Sequence, residues 1–324
     1  MKYIKETEYV YAAARIHTYD GSILNRDALV RMANSPDVDS LIRLLGEAGY
    51  EVKDKDIFSS LENRLYEDYK LAFEIVPDKS VFSFLKYPYD CNNIKTAIKC
   101  TFTTGFDYSS LHCRLGTLTE EQINACIQNT DFSPLPMFMA KACKEALSAY
   151  AETNDPQKID LPIDSACYQD MLSCANVSGE KVMLEYVKDL IDSVNIVNSV
   201  RTAEMVRDNS FFDEIYIEGG DIKKETLNQL TEDPGNIARL MRKTKFESLF
   251  FSGFGSFSSA EKKLDDYRME KISEYRRSVF GPSSILGYLV AREYETKNIR
   301  IISAGVLAHK SADEILEKVR ISYV

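Results

Sequence analysis

Apolar side chains recur at spacings of three and four residues over long stretches of the chain. Leu184, Val187, Ile191 and Val194 form one such stripe, continued by Asn198, and Leu286, Leu289, Val290 and Tyr294 form another. The stretch Ser259 to Arg277 contains no Gly or Pro and places Leu264, Tyr267, Ile272 and Tyr275 roughly on one face. A 3.6-residue period of this kind predicts helices over 184–200, 259–277 and 284–302. Two helix starts are also written out, because Thr119-Glu120-Glu121-Gln122 and Ser311-Ala312-Asp313-Glu314 both have the Ser/Thr-x-x-Glu/Gln form of a capping box. Alternating patterns are confined to Ile215-Tyr216-Ile217 and the apolar run from Ser248 to Phe254, too short to organise a sheet. The predicted fold class is all-α.

A longer period lies above the helical one. The pattern acid-x-x-Asn-Ile occurs at Asp90–Ile94, Asp192–Ile196 and Glu295–Ile299, so that Asn93, Asn195 and Asn298 follow one another at 102 and 103 residues. An apolar-acid-x-x-apolar/Cys pattern precedes each, at Leu61–Leu65, Ile163–Cys167 and Ala260–Leu264. Its acids, Glu62, Asp164 and Glu261, lie 31, 31 and 37 residues before the asparagines. A Gly-x-aliphatic corner recurs at Gly21, Gly116, Gly220 and Gly305, and aromatic residues at Tyr50, Tyr150 and Phe250 follow the first three. The order of the landmarks never changes, so one helical unit of about a hundred residues is written three times. The boundaries this predicts are 1–103, 104–209 and 210–324. The corner glycines are expected to take the left-handed conformation that ends one helix before the next begins.

The acid and Asn of the repeated pattern stand at i and i+3, on one helical face beside an apolar stripe. A carboxylate–amide pair of this kind suits a ligand. It equally suits a packing joint, in which both groups satisfy the backbone of a neighbouring loop or helix end. Recurrence favours the joint, since a catalytic site has no need of three copies and a packing contact must be rebuilt in every unit. Glu62, Asp164 and Glu261 take the same reading, with solvated-face charge as the other possibility.

Composition narrows the picture. Of 324 residues 44% are apolar, enough for several cores without disulfides or metals, and Gly (14) and Pro (9) are sparse, as long helices require. Lys and Arg number 40 against 50 Asp and Glu, a net charge of −10, which disfavours binding to nucleic acid or anionic lipid. The seven cysteines form no C-x-x-C and cannot all pair, the N-terminus does not read as a signal peptide, and no window approaches about 18 consecutive apolar residues. The expectation is a reduced, soluble, cytoplasmic protein.

Chemistry-bearing motifs are few. The three histidines, His17, His112 and His309, fall in no metal-ligand spacing and read as boundary packing. Gly253-Phe254-Gly255 lacks the third glycine of a dinucleotide loop and the Gly-Lys-Ser/Thr of a phosphate loop, so a flexible loop is expected there. No G-x-S-x-G nucleophile elbow is written, and Cys167 and Cys174 read as small core residues. The expectation is a non-enzyme with no cofactor and no metal.

Tyr11-Ala12-Ala13-Ala14-Arg15 near the start, the three segments Tyr89–Lys95, Ile191–Ile196 and Arg292–Arg300, and the Gly219-Gly220 corner together resemble the C-type stalk-component family of prokaryotic V-type (A/V-type) ATPases, whose vacuolar counterpart is the d component. The most specific segment is Glu293-x-Glu295-x-x-Asn298-Ile299-Arg300. Two departures are local: Val197 stands where Lys95 and Arg300 stand in the other units, and Pro88 lies just before Asp90. The resemblance implies three similar helical domains in a pseudo-threefold, funnel-like arrangement, held on the cytoplasmic side of the membrane through protein contacts. It implies a non-catalytic rotor subunit joining the central stalk to the membrane rotor ring, so that ATP hydrolysis or synthesis is linked to proton or sodium transport. The isolated chain is then expected to be a monomer, and its acidic surface would complement basic loops of the ring. Apart from the resemblance, the residues leave open a helical-repeat scaffold for another partner in its concave surface and, more remotely, an enzyme with a carboxylate metal site.

Overall fold

The computed structural model describes residues 5–102, 107–205, 209–251, 253 and 255–324. Every regular element among them is helical. In chain order the α-helices are α1 (Val10–His17), α2 (Arg26–Ala33), α3 (Val38–Glu47), α4 (Ile57–Ile75), α5 (Tyr87–Phe102), α6 (Glu120–Asn129), α7 (Met137–Thr153) and α8 (Gln157–Ser178). They continue with α9 (Lys181–Glu204), α10 (Asn209–Ile215), α11 (Lys224–Glu232), α12 (Ile237–Leu240), α13 (Phe257–Tyr275), α14 (Ser283–Leu307) and α15 (Ala312–Lys318). The three helices predicted from periodicity are α9, α13 and α14, each longer than or offset from the predicted span by a few residues, as fraying ends allow.

Helix starts follow side-chain chemistry. Asn25, Asp37 and Asp56 accept the N3 amides of Ala28, Ser40 and Ser59 at the heads of α2, α3 and α4. Thr119 and Ser311 close full capping boxes on Gln122 and Glu314 at α6 and α15, as predicted. Pro88 occupies the second position of α5, where its missing N–H has no helical acceptor to lose.

The chain divides into two compact units. One is Ser80–Glu261; the other joins Lys2–Lys79 to Lys262–Val324. In the first, α5 packs on α6 and α8, α7 pairs with α8, and α9 packs on α8, α10 and α11. In the second, α14 is the centre, contacted by α1, α2, α3, α4 and α15. Its core joins Leu29, Leu41, Leu45 and Leu61 from the N-terminal part to Ile299, Ile302, Val306 and Ile315 from the C-terminal part. Helix α14 is buried around most of its circumference, with even Arg292 only 2% exposed.

The corner glycines behave differently from expectation. Among the described residues the left-handed glycines are Gly49, Gly179, Gly219, Gly253, Gly255 and Gly281, and none of Gly21, Gly116, Gly220 or Gly305 is among them. Gly305 lies inside α14 and makes no corner. It allows α15 to approach, since a Cβ there would fall 2.5 Å from Ile315 Cγ1. Of the lone G-x-G loop, Ser252 and Phe254 lie outside the described residues.

Candidate functional site: three acid–asparagine joints

Asn93, Asn195 and Asn298 sit on α5, α9 and α14, and each is 1% exposed or less. Each amide makes the same reciprocal pair with one backbone residue 20 or 22 positions later. Asn93 Nδ2 donates to Cys113 C=O (2.8 Å) and its Oδ1 accepts Cys113 N–H (2.9 Å). Asn195 does the same to Ile217 (2.7 and 2.9 Å), and Asn298 to Arg320 (3.1 and 2.8 Å). A side-chain amide carries one donor group and one acceptor in a plane, so it imitates a neighbouring backbone and satisfies a loop segment that no helix or strand can pair.

The acid three residues earlier fixes the next corner. Asp90 Oδ1 accepts Thr117 N–H (2.8 Å) and Leu118 N–H (3.1 Å); Asp192 Oδ1 accepts Ile222 N–H (3.0 Å); Glu295 Oε2 accepts Leu24 N–H (2.5 Å). Leu118, Ile222 and Leu24 all stand immediately before an N-cap residue, at α6, α11 and α2. The third joint is therefore assembled from both ends of the chain: Asn298 holds Arg320, while Glu295 reaches the corner near residue 24. Counted back from the N-caps, the equivalent of Gly116 and Gly220 is Ser22 and not Gly21. A Cβ at Gly116 or Gly220 would lie 2.4 or 2.1 Å from the carboxylate of Asp90 or Asp192, whereas Gly21 has nothing within 4 Å. The absent side chain at 116 and 220 is thus what admits the carboxylate.

The second oxygen of each acid is met in three different ways. Thr117 Oγ1 donates to Asp90 Oδ2 (2.6 Å). Burial raises the Asp90 carboxyl above its ordinary range, against the pull of the Thr117 and Leu118 hydrogen bonds and of the Lys86 charge. Asp192 Oδ2 faces Lys245 Nζ (2.8 Å), which also meets Asp189 (2.5 Å) and Asp221 (3.1 Å). Burial of Lys245 opposes its charge, but Asp189 and Asp192 hold the ammonium protonated beyond the ordinary lysine range. Glu295 Oε1 accepts from Tyr50 Oη and from Arg292 Nη1 (2.9 Å). Burial, together with the Glu295 charge, pushes the Tyr50 phenol well up and keeps it a donor. Arg292 also meets Asp68 (3.2 Å) and Ser22 C=O (3.1 Å), so Ser22 is tied to the joint by a cation where the other units have a glycine.

The preceding acids are less uniform. Asp164 on α8 pairs with Lys95 and accepts from Cys91 Sγ (3.3 Å), tying α5 to α8, while Glu62 and Glu261 are half-buried positions of α4 and α13. A more deeply buried set, Asp68, Asp170 and Asp265, lies outside the repeated patterns. Asp170 accepts Phe138 N–H (3.0 Å) and Met139 N–H (2.8 Å), capping α7, whose own N-cap residue is Pro136 and offers no side-chain acceptor. Asp265 is ringed by Arg268 (3.1 Å), Lys297 (2.6 Å) and Arg320 (2.9 Å). Burial alone would raise its pKa, but these three cations bring it down to about 2. A signal for two of the three acids does stand in the sequence: Asp68 and Asp170 each precede the joint acid, Asp90 or Asp192, by 22 residues.

Every joint carboxylate and amide is committed to backbone or to a cation, and among the described residues no group of three or more His, Cys, Asp and Glu is arranged to hold a metal ion. Cys167 is buried, as expected, but Cys174 is half-exposed and donates to Ser80 C=O (3.4 Å).

Comparison with known proteins assigns this architecture. The family profile of the ATP synthase (C/AC39) subunit matches residues 12–318. The chain belongs to that family. It is 22% identical over 311 residues to the C subunit of the V-type sodium ATPase of Enterococcus hirae, covering 93% of this chain and 94% of that protein. It is 25% identical to the C subunit of the A-type ATP synthase of Pyrococcus furiosus (92% and 86% covered) and 22% identical to that of Methanocaldococcus jannaschii (95% and 85% covered). As a C/AC39 subunit it is an accessory component of a rotary ATPase, and the three segments that carry the resemblance include the three joints. Among the described residues no helix is long and apolar enough to cross a membrane.

Proposed function

We propose that this C/AC39 subunit is the non-catalytic rotor adaptor of its ATPase, joining the central stalk to the membrane rotor ring so that rotation links ATP turnover to proton or sodium transport. The observation that supports this most is the threefold repetition of a joint in which a buried Asn and a buried acid on one helix both hold backbone of other segments. An adaptor that transmits torque must deform little, and each joint locks a long helix to a loop and to the head of another helix through two or more hydrogen bonds. Packed interiors with satisfied polar groups transmit strain with little compliance. On this reading the repeats form three domains, 1–103, 104–209 and 210–324, around a pseudo-threefold funnel, the N-terminal corner also completing the third joint. The subunit is cytoplasmic, peripheral through protein contacts, and a monomer in isolation. It needs no cofactor and binds no nucleic acid. The net charge of −10 suits docking to basic loops of the ring, which predicts weaker ring binding at high salt. The test is reconstitution: the purified chain binds the isolated stalk complex one-to-one, and failure of the folded protein to do so refutes the proposal.

A further inference from the structure

A cleft of about 710 Å³ opens along α4. Its floor is the face of α4 from Ser59 to Leu71, twelve helical rises or about 18 Å long. Its rim is the segment from Gly49 to Asp56. The same face recurs one repeat later. Pro162, Ala166 and Gln169 of α8, each 102 residues after Ser60, Arg64 and Glu67, line a smaller cleft of about 480 Å³. On α8 a helix supplies the wall: Phe138 and Lys141 of α7 line the cleft, and Asp170 caps that helix. On α4 the wall is a loop, because α3 has 10 residues where α7 has 17.

The two clefts differ in charge as well as shape. Around α8 two acids, Glu145 and Glu214, balance two bases, Lys141 and Lys158. Around α4 five acids face two bases, Lys53 and Arg64. Two polar groups on the α4 floor keep hydrogen-bonding capacity that the described residues do not use. Ser60 is 5% exposed and its hydroxyl has no hydrogen-bond partner among the described residues. Arg64 meets Asp68 through Nε alone (3.4 Å), and among the described residues its terminal nitrogens have no acceptor. A guanidinium with its outer edge free is a carboxylate fork, while the acids around it repel a ligand that carries negative charge alone.

We propose that the α4 cleft docks a basic segment of a partner polypeptide. Lysine or arginine side chains of that segment meet Glu51 and Glu67, and one carboxylate meets the outer edge of Arg64. The length of the floor suits an extended or helical segment better than a compact small molecule, and in the counterpart on α8 a helix of the chain itself, α7, forms the wall. The inference rests on the adaptor reading, which places the partner within the ATPase.

The test uses the assembled ATPase. A photo-crosslinking amino acid at position 67 is compared with one at position 145 in the counterpart cleft, and crosslinked peptides are sequenced by mass spectrometry. Position 67 is expected to capture a Lys/Arg-rich segment of one other subunit and position 145 to capture none. Glu51→Lys, exposed and outside the joints, is expected to abolish the crosslink from position 67, and Glu51→Lys with Glu67→Lys in the chain without crosslinker to weaken incorporation of the subunit at least tenfold, with unchanged melting of the isolated chain. If the subunit assembles stoichiometrically but position 67 crosslinks only within its own chain, or to an acidic or apolar segment, the docking proposal is overturned while the adaptor role stands. If the subunit does not assemble with the ATPase, the adaptor reading fails and the docking proposal with it.

Discussion

Replacing Asn195 with alanine removes a group that does two things at once. Ile217 is 3% exposed, and its N–H and C=O are both met by the Asn195 side chain at 2.9 and 2.7 Å. Leaving a buried donor or acceptor without a partner costs about 1–3 kcal/mol each, so Asn195→Ala is expected to cost about 2–6 kcal/mol if the space stays dry. Water entering the space would bring that toward the lower end. The cost should fall with the exposure of the residue that is held: Asn298→Ala next, since Arg320 is 7% exposed, and Asn93→Ala least, because Cys113 is only half-buried. Denaturant unfolding gives the ranking, and hydrogen exchange reads the cause directly, as the Ile217 amide should lose its protection in Asn195→Ala while the amides of α9 away from the joint keep theirs. A loss under about 0.5 kcal/mol with Ile217 still protected would refute the joint as the element that holds the loop.

Gly220→Ala should destabilise by about 1–3 kcal/mol, because the added methyl meets the Asp192 carboxylate at 2.1 Å, whereas Gly21→Ala should stay within about 0.5 kcal/mol; paired thermal melts check both. Asp265 has a folded pKa below its unfolded value, so its contribution is present above about pH 3.8 and is lost as the pH falls through about 2. An acid titration of stability should therefore lose its slope between those values in Asp265→Asn, and at neutral pH that variant should cost about 3–5 kcal/mol by leaving Arg268, Lys297 and Arg320 without their common anion. Asp170→Ala should lower stability by about 0.5–2 kcal/mol and fray the first turn of α7, seen as faster exchange at Phe138 and Met139.

Much of this architecture is legible in the chain because it is repeated. The capping boxes at Thr119 and Ser311 and the stripes of α9, α13 and α14 depend on local spacing, and local spacing is what a sequence displays. The acid–Asn pairs stand out as a period of about a hundred residues, and their recurrence is what favours a packing joint over a ligand pair. Glycine is the weak guide. Gly21 and Gly305 fit a Gly-x-aliphatic corner by composition alone, yet Gly116 and Gly220 are glycines because a carboxylate lies where their Cβ would be, a reason that concerns a residue 26 or 28 positions away. In the third joint the acid is Glu295, whose longer side chain meets Ser22 through Arg292, so no glycine is needed and Gly21 falls one residue out of register. That Glu295 reaches Leu24 is invisible for another reason: a linear period compares segments in chain order and carries no information about the two ends meeting. Asp68 and Asp170 carry only their common distance of 22 residues to the joint acid, and Asp265 carries no such mark, because the partners of the three (an arginine on α14, the head of α7, a ring of three cations) share only burial.

Mechanical coupling is the role proposed for this subunit, and ATP-driven ion transport by the reconstituted ATPase, with and without the chain, measures it. Omitting the chain should leave ATP hydrolysis by the head in place while abolishing transport, and adding back one equivalent should restore transport. A complex that lacks the chain and still moves ions in step with ATP hydrolysis would contradict that role.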